Sequence, residues 1–147
     1  MAPLRWDGGG DEVSWTDPLN WAGDRLPGAT DRVLIEVEAA NPTIRLATGT
    51  HTIAALFSSE AVLLAGGTLT ITGPYSKLAG DLTLSSGALT LGPSAEMDVD
   101  RFNLSGGVLN VGERLVVSGL LDWSHGATIA GGGTGVLEIA AGGAATV

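Results

Sequence analysis

The residues of this chain best placed to do chemistry are Glu96, Asp98 and Asp100, which alternate with Met97 and Val99 in the run EMDVD. On a β-strand successive side chains point to opposite faces, so the three carboxyls share one outer face. Like charges held that close raise one another's pKa, which is what a general acid needs. The cluster is solitary, however. Arg101 and Arg114 are nearby in sequence only, and no second wall of acids or bases is evident. A solvated strand face is the preferred reading, with catalysis as the weaker one.

Other groups carry less. Trp15 and Trp21, with Asn20 and Asp17 beside them, offer a platform for stacking a sugar ring, or apolar cover for the end of a core; cover is preferred. Asp7, Asp11 and Asp17, with Asp24 and Asp31 further on, supply hard oxygen ligands of the type calcium takes, but no D-x-D-x-D-G loop or GGxGxD repeat is present. Turn-forming aspartates are expected instead, and no cofactor is expected beyond a possible calcium. His51 and His125 are single, without a partner at ligand spacing. There is no G-x-S-x-G elbow, and GGGTG (131–135) is followed by no lysine and opens no helix.

The elements that must position these residues are short strands. LTI (69–71), LTL (82–84), LTL (89–91), FNL (102–104) and LNV (109–111) recur between Gly, Ser, Asn and Pro, with apolar residues at i and i+2. Val62, Leu82 and Phe102 are evenly spaced. Leu69, Leu89, Leu109 and Ile129 repeat the same interval, and so do Met97, Val117 and Leu137. Three interleaved series with one period predict a coil of about 20 residues carrying three strands, each coil stacked on the last. A sandwich or barrel gives no reason for a fixed period. AGG (65–67), SSG (85–87) and SGG (105–107) fall at one corner of successive coils. Leu121 and Trp123, flanking Asp122, predict a one-residue slip; Leu78 is off by one from the third series; before Val62 the period fades. Residues 1–32, with three of the four tryptophans, read as an irregular N-terminal cap, and residues 33–147 as the coils. The expected fold is therefore all-β: a parallel β-solenoid of five or six coils, right-handed, with a Trp-rich cap.

The net charge of −9 argues against nucleic acid or an anionic membrane surface as partner, since both require a basic footprint. No cysteine is present, which excludes disulfides and thiolate metal sites, and no apolar run is long enough to span a membrane. The N-terminus shows no apolar signal core, and GVLEIAAGGAATV stops in mid-pattern, so self-association through open solenoid ends, or adjoining coils of a longer chain, is expected.

The stretch LDWSHGATIAGGGTGVLEIAAGG (121–143) resembles the coils of large bacterial surface proteins, the adhesin and autotransporter-passenger class of right-handed β-helices. The opening from Trp15 to Trp21, with Pro27, Asp31, Val33 and Ile35 following, is similar to the segment that begins such solenoids. The resemblance implies an extracellular or cell-surface setting and a non-catalytic structural or adhesive role; it carries over no catalytic residue. Two alternatives stand beside it: a filament subunit joined through solenoid ends, and a polysaccharide-binding or polysaccharide-degrading protein, because the Glu96–Asp100 row resembles the acidic clefts of pectin-degrading β-helix enzymes. Outward Thr70 and Thr90 suggest an ice-binding column, but Asn110 and Ala130 interrupt it.

Overall fold

The structure is a computed structural model that describes residues 2–38, 41–124, 126–131 and 135–146. Its strands run, in chain order, β1 Leu4–Arg5, β2 Arg32–Ile35, β3 Thr43–Leu46, β4 Thr50–Ile53, β5 Ala55–Ser58, β6 Ala61–Ile71, β7 Tyr75–Leu91, β8 Glu96–Leu104, β9 Val108–Val111, β10 Arg114–Trp123, β11 Thr128–Gly131, β12 Val136–Ile139 and β13 Ala144–Thr146. The only helical element among the described residues is a 3₁₀ turn at Pro18–Asn20.

All strand pairs are parallel and join residues about one coil apart. The chain therefore winds as a β-solenoid of about five turns with three faces. The first face stacks β1, β2, β5, the start of β7, the start of β8, the start of β10, and β12. The second stacks β3, the start of β6, the middle of β7, the end of β8, the end of β10, and β13. The third stacks β4, the end of β6, the end of β7, β9 and β11.

Two of the three series lie in register. Val62, Leu82 and Phe102 pair in turn, and Phe102 then pairs with Leu121 and Leu104 with Trp123, the slip expected around Asp122. Leu69, Leu89, Leu109 and Ile129 pair in turn on the third face, below His51. Leu69, Leu89 and Leu109 are at most 1% exposed, so each places its whole aliphatic surface on its neighbours, worth roughly 1.5–3 kcal/mol per side chain.

The third series is corrected. Met97 pairs with Leu115, not Val117, and Val117 pairs with Val99 and Ile139. The step from Met97 to Leu115 falls two short of the regular interval, and that from Leu115 to Leu137 exceeds it by two. The cause is the turn into the first face. It spans Gly92–Ala95 in one coil but only Gly112–Glu113 in the next, which pulls the register forward by two. Leu78 is an inner residue paired with Val99, and Ser76 sits in the file between Leu56 and Met97. Ser76 is fully buried there because its Oγ accepts the Leu56 N–H at 3.0 Å. The period before Val62 is present but uneven: the step from Ile44 to Val62 is shorter than that from Val62 to Leu82, and the step from Val33 to Leu56 is longer.

Residues 1–32 are not irregular throughout. β1 pairs with β2, and Ser14 bridges Arg45 on the second face, so this segment supplies a partial rung on two faces. Trp6, Trp15 and Trp21 close the interior at that end. The rings of Trp6 and Trp15 each meet Trp21 edge-on at 4.9 Å.

The corner between the second and third faces sets how closely coils approach. Gly67 and Gly107 take φ of +69°, and Gly87 takes +78°. A Cβ on Gly67 would lie 2.5 Å from the Gly49 carbonyl oxygen, one on Gly107 2.5 Å from that of Gly87, and one on Gly87 closer still to that of Gly67. Both the left-handed backbone and the approach require glycine. Gly87→Val is expected to cost more than about 2 kcal/mol, from the left-handed penalty plus the clash, and to lower Tm by several degrees. Ser86→Ala, at an exposed position on the same corner, is expected to stay within about 0.5 kcal/mol. Thermal unfolding followed by circular dichroism checks both; equal melting of the two variants would remove the stacked-corner account.

Candidate functional site

The N-terminal candidates resolve into structure. Trp15 and Trp21 are 0% exposed and present no ring face to a sugar, so the stacking platform is replaced by an end plug. The Trp21 indole N–H donates to the Trp15 carbonyl at 2.8 Å. Trp15 packs edge-on to His51 at 6.5 Å, while His51 Nε2 bonds the Thr48 carbonyl oxygen at 3.0 Å.

Asn20 is equally buried and acts as the loop's internal template: its Oδ1 accepts from the Gly10 and Glu12 N–H groups, and its Nδ2 donates to Asp11 and to the Ser14 carbonyl. Asp11 Oδ1 accepts from the Val13 and Ser14 N–H groups and from Asn20. Asp17 caps the 3₁₀ turn through Leu19 and holds the Asp11 N–H with its other oxygen; Asp7 accepts from Gly9.

Asp7 and Asp11 border a cavity of about 450 Å³ also lined by Glu12, Glu36 and Glu38, but Asp17 is not part of that lining. Among the described residues no three acids or histidines converge as a metal-binding group. Of the carboxylates lining this cavity, Asp7 and Asp11 are engaged in hydrogen bonds to the backbone of their own loop. His125 and most of GGGTG lie outside the described residues.

The Glu96–Asp100 row stands on the outer side of β8, as expected from alternation. Its surroundings differ from the sequence reading. Glu96 lies between Tyr75 and Arg114 on adjacent rungs, and Asp98 between Lys77 and Val116. Arg114 is therefore a direct neighbour of the row, although its guanidinium binds Glu138 of the next rung. Arg101 is on the second face, beside Asp81 and Leu120. The row is one rung of acid bounded by a cation on each side, Lys77 on the rung before and Arg114 on the rung after.

The three faces differ sharply in chemistry. The outward positions of the third face are Thr, Ala, Val and Asn only: Thr52, Thr70, Thr90 and Asn110 form one file, and Asn110 Nδ2 donates to Thr90 Oγ1 at 3.2 Å. The first face collects Arg5, Arg32, Lys77 and Arg114 together with Phe57 and Tyr75. The Arg32 guanidinium lies 5.4 Å from the Phe57 ring centroid, and Tyr75, 45% exposed, tilts against Phe57 at 6.2 Å.

Along the edge between the first and second faces runs a groove. One part, about 180 Å³, lies beside Leu34, Phe57 and Ser59; the next, about 250 Å³, lies beside Asp98, Asp100 and Ser118; Lys77 and Ala79 line both. The ladder register shifts at this edge, between Leu78 and Asp81 and between Val117 and Leu120. The shifts fall at Ala79–Gly80 and Ser118–Gly119, so small side chains sit where large ones would close the edge. Tyr75 and Lys77 escaped the sequence reading because Ser76, a polar residue in an inner file, broke the alternation that marks the strand, and Phe57 because buried Ser58 did the same on β5. Alternation outward from Leu56 and Leu78 was the signal that placed them.

Comparison with protein-family models, curated proteins and solved structures returned no match. The functional reading therefore rests on the geometry of this chain.

Two carboxyls are held well below their usual range. For Asp11 the cause is hydrogen bonds, first from the Ser14 side chain, then from the Ser14 and Val13 N–H groups and Asn20. For Asp31 it is the Arg25 guanidinium, bidentate at 2.7 and 3.0 Å, with the Gly28 N–H adding to it. A depressed folded pKa means the stabilisation is complete above the unfolded value, about 3.9, and is lost as pH falls through the folded one. Urea midpoints are expected to drop as the medium is acidified below about pH 4. The Asp11→Asn Asp31→Asn double variant is expected to be weaker at neutral pH and flatter in acid. Parallel pH curves for the two proteins would count against this role.

Proposed function

We propose that this chain is a non-catalytic structural and adhesive β-solenoid segment of a secreted or cell-surface bacterial protein. The observation that carries the reading is the interior: aliphatic files in register through successive coils make a stiff rod, while the polar side chains are left on its flanks. A rod of this kind spaces and presents its faces. The acidic row supports presentation better than catalysis, since its neighbours on adjacent rungs are Lys77 and Arg114.

A contact at the far end of the rod belongs to the same proposal. Leu137 and Ile139 are half-buried, whereas their inner-file partners Leu115 and Val117 one rung earlier are sealed. A further rung, from adjoining coils or from another copy, would cover them.

The test has two parts. Antibodies against the chain are expected to label intact source cells or their medium; labelling only after lysis overturns the surface assignment. Incubation with a polysaccharide panel is expected to release no new chain ends; release abolished by Asp98→Asn Asp100→Asn overturns the non-catalytic assignment.

A further inference from the structure

We infer that the groove along the edge between the first and second faces binds a neutral linear polysaccharide, lying parallel to the solenoid axis. This rests on the adhesive reading above and names its ligand.

The groove crosses five successive rungs, from Leu34 on β2 to Ser118 after the start of β10. At about 4.8 Å per rung that is roughly 19 Å of path. Each part is smaller than the roughly 300 Å³ at which small-molecule pockets begin, so the path suits an extended polymer. It also runs across the strands, so an extended peptide finds no sheet edge to join along it. The ligand must bring its own hydrogen-bonding groups and meet side chains.

Those side chains are mixed in sign. Lys77 stands in the middle of the path, with Asp98 and Asp100 on one side and the Phe57 ring on the other. Among the described residues, Lys77, Asp98 and Asp100 make no ion pair or side-chain hydrogen bond, although Lys77 and Asp98 are register neighbours. A polyanion meets Asp98, Asp100 and Glu36; a polycation meets Lys77. A hydroxyl both donates and accepts, so a chain of hydroxyl-bearing rings satisfies the ammonium and the carboxylates together. Phe57 supplies the apolar wall on which the C–H face of a sugar ring rests. Arg32 lies over one face of that ring and Tyr75 tilts against it, so the ring is already held and little side-chain entropy is lost on binding.

Affinity electrophoresis in gels cast with hydroxyethyl cellulose, galactomannan or arabinoxylan tests the inference, with polygalacturonate and chitosan as charged comparators. At least one neutral polymer is expected to retard the protein more strongly than polygalacturonate does, and retardation by chitosan, which the net charge of −9 produces by itself, is expected to be indifferent to blocking the groove. Ala79→Arg, at an exposed position lining both parts of the groove, blocks the path without touching the core, and is expected to weaken retardation at least tenfold. Asp98→Asn Asp100→Asn is expected to weaken it severalfold, and Thr70→Arg on the third face to leave it unchanged. Circular dichroism confirms that each variant is folded. No retardation by any neutral polymer, equal retardation by polygalacturonate, or neutral-polymer retardation indifferent to Ala79→Arg overturns the inference. Cell-surface labelling is read independently, so the groove can fail while the surface rod stands, and the reverse.

Discussion

The corner between the second and third faces is the constraint on which the rest of the molecule depends. Gly67, Gly87 and Gly107 bring one coil's backbone into contact with the carbonyls of the coil before it, at a distance that admits no side chain. That approach lets the ladders on both adjoining faces form, and it seats each leucine of the third face on its counterpart. Hydrophobic burial supplies most of the favourable free energy, but it does not fix direction. The corner fixes it, because a coil that cannot close its bend cannot stack.

Above that constraint the design tolerates variation. Successive coils lengthen or shorten slightly at other corners, and the inner files absorb each change by a shift of register. Ser76 shows how a polar residue survives in such a file: its hydroxyl takes a hydrogen bond from the strand below. The register shifts at Ala79–Gly80 and Ser118–Gly119 also open the lateral groove, so irregularity in the repeat and recognition on the flank share one origin.

Much of the fold was legible because two files keep a strict spacing. Leu69, Leu89, Leu109 and Ile129 can be counted off the chain without a structure, and the corner glycines follow the same count. The third file was misread because Val117 stands one full period after Met97 by coincidence, while the shortened turn at Gly112–Glu113 moves Leu115 into the place. Periodicity reports average coil length and is blind to compensating changes within a coil. The site was harder still. The Glu96–Asp100 row was visible as alternation, but its neighbours Lys77 and Arg114 come from other rungs, and only the register brings them to it. Asn20 was noticed for its place between two tryptophans, but nothing in its local sequence says that it organises four hydrogen bonds.

The tryptophan plug has a consequence for how the molecule reports on itself. Three of its four indoles, Trp6, Trp15 and Trp21, are gathered at one end, and Trp123 stands alone toward the other. Intrinsic emission is thus weighted to the first rung, whereas far-ultraviolet ellipticity averages over every strand. In a stacked array one rung can come loose while the others hold. The two optical signals are then gauges of different parts of one rod, and a gap between their midpoints measures how tightly the lid is bolted to the barrel beneath it.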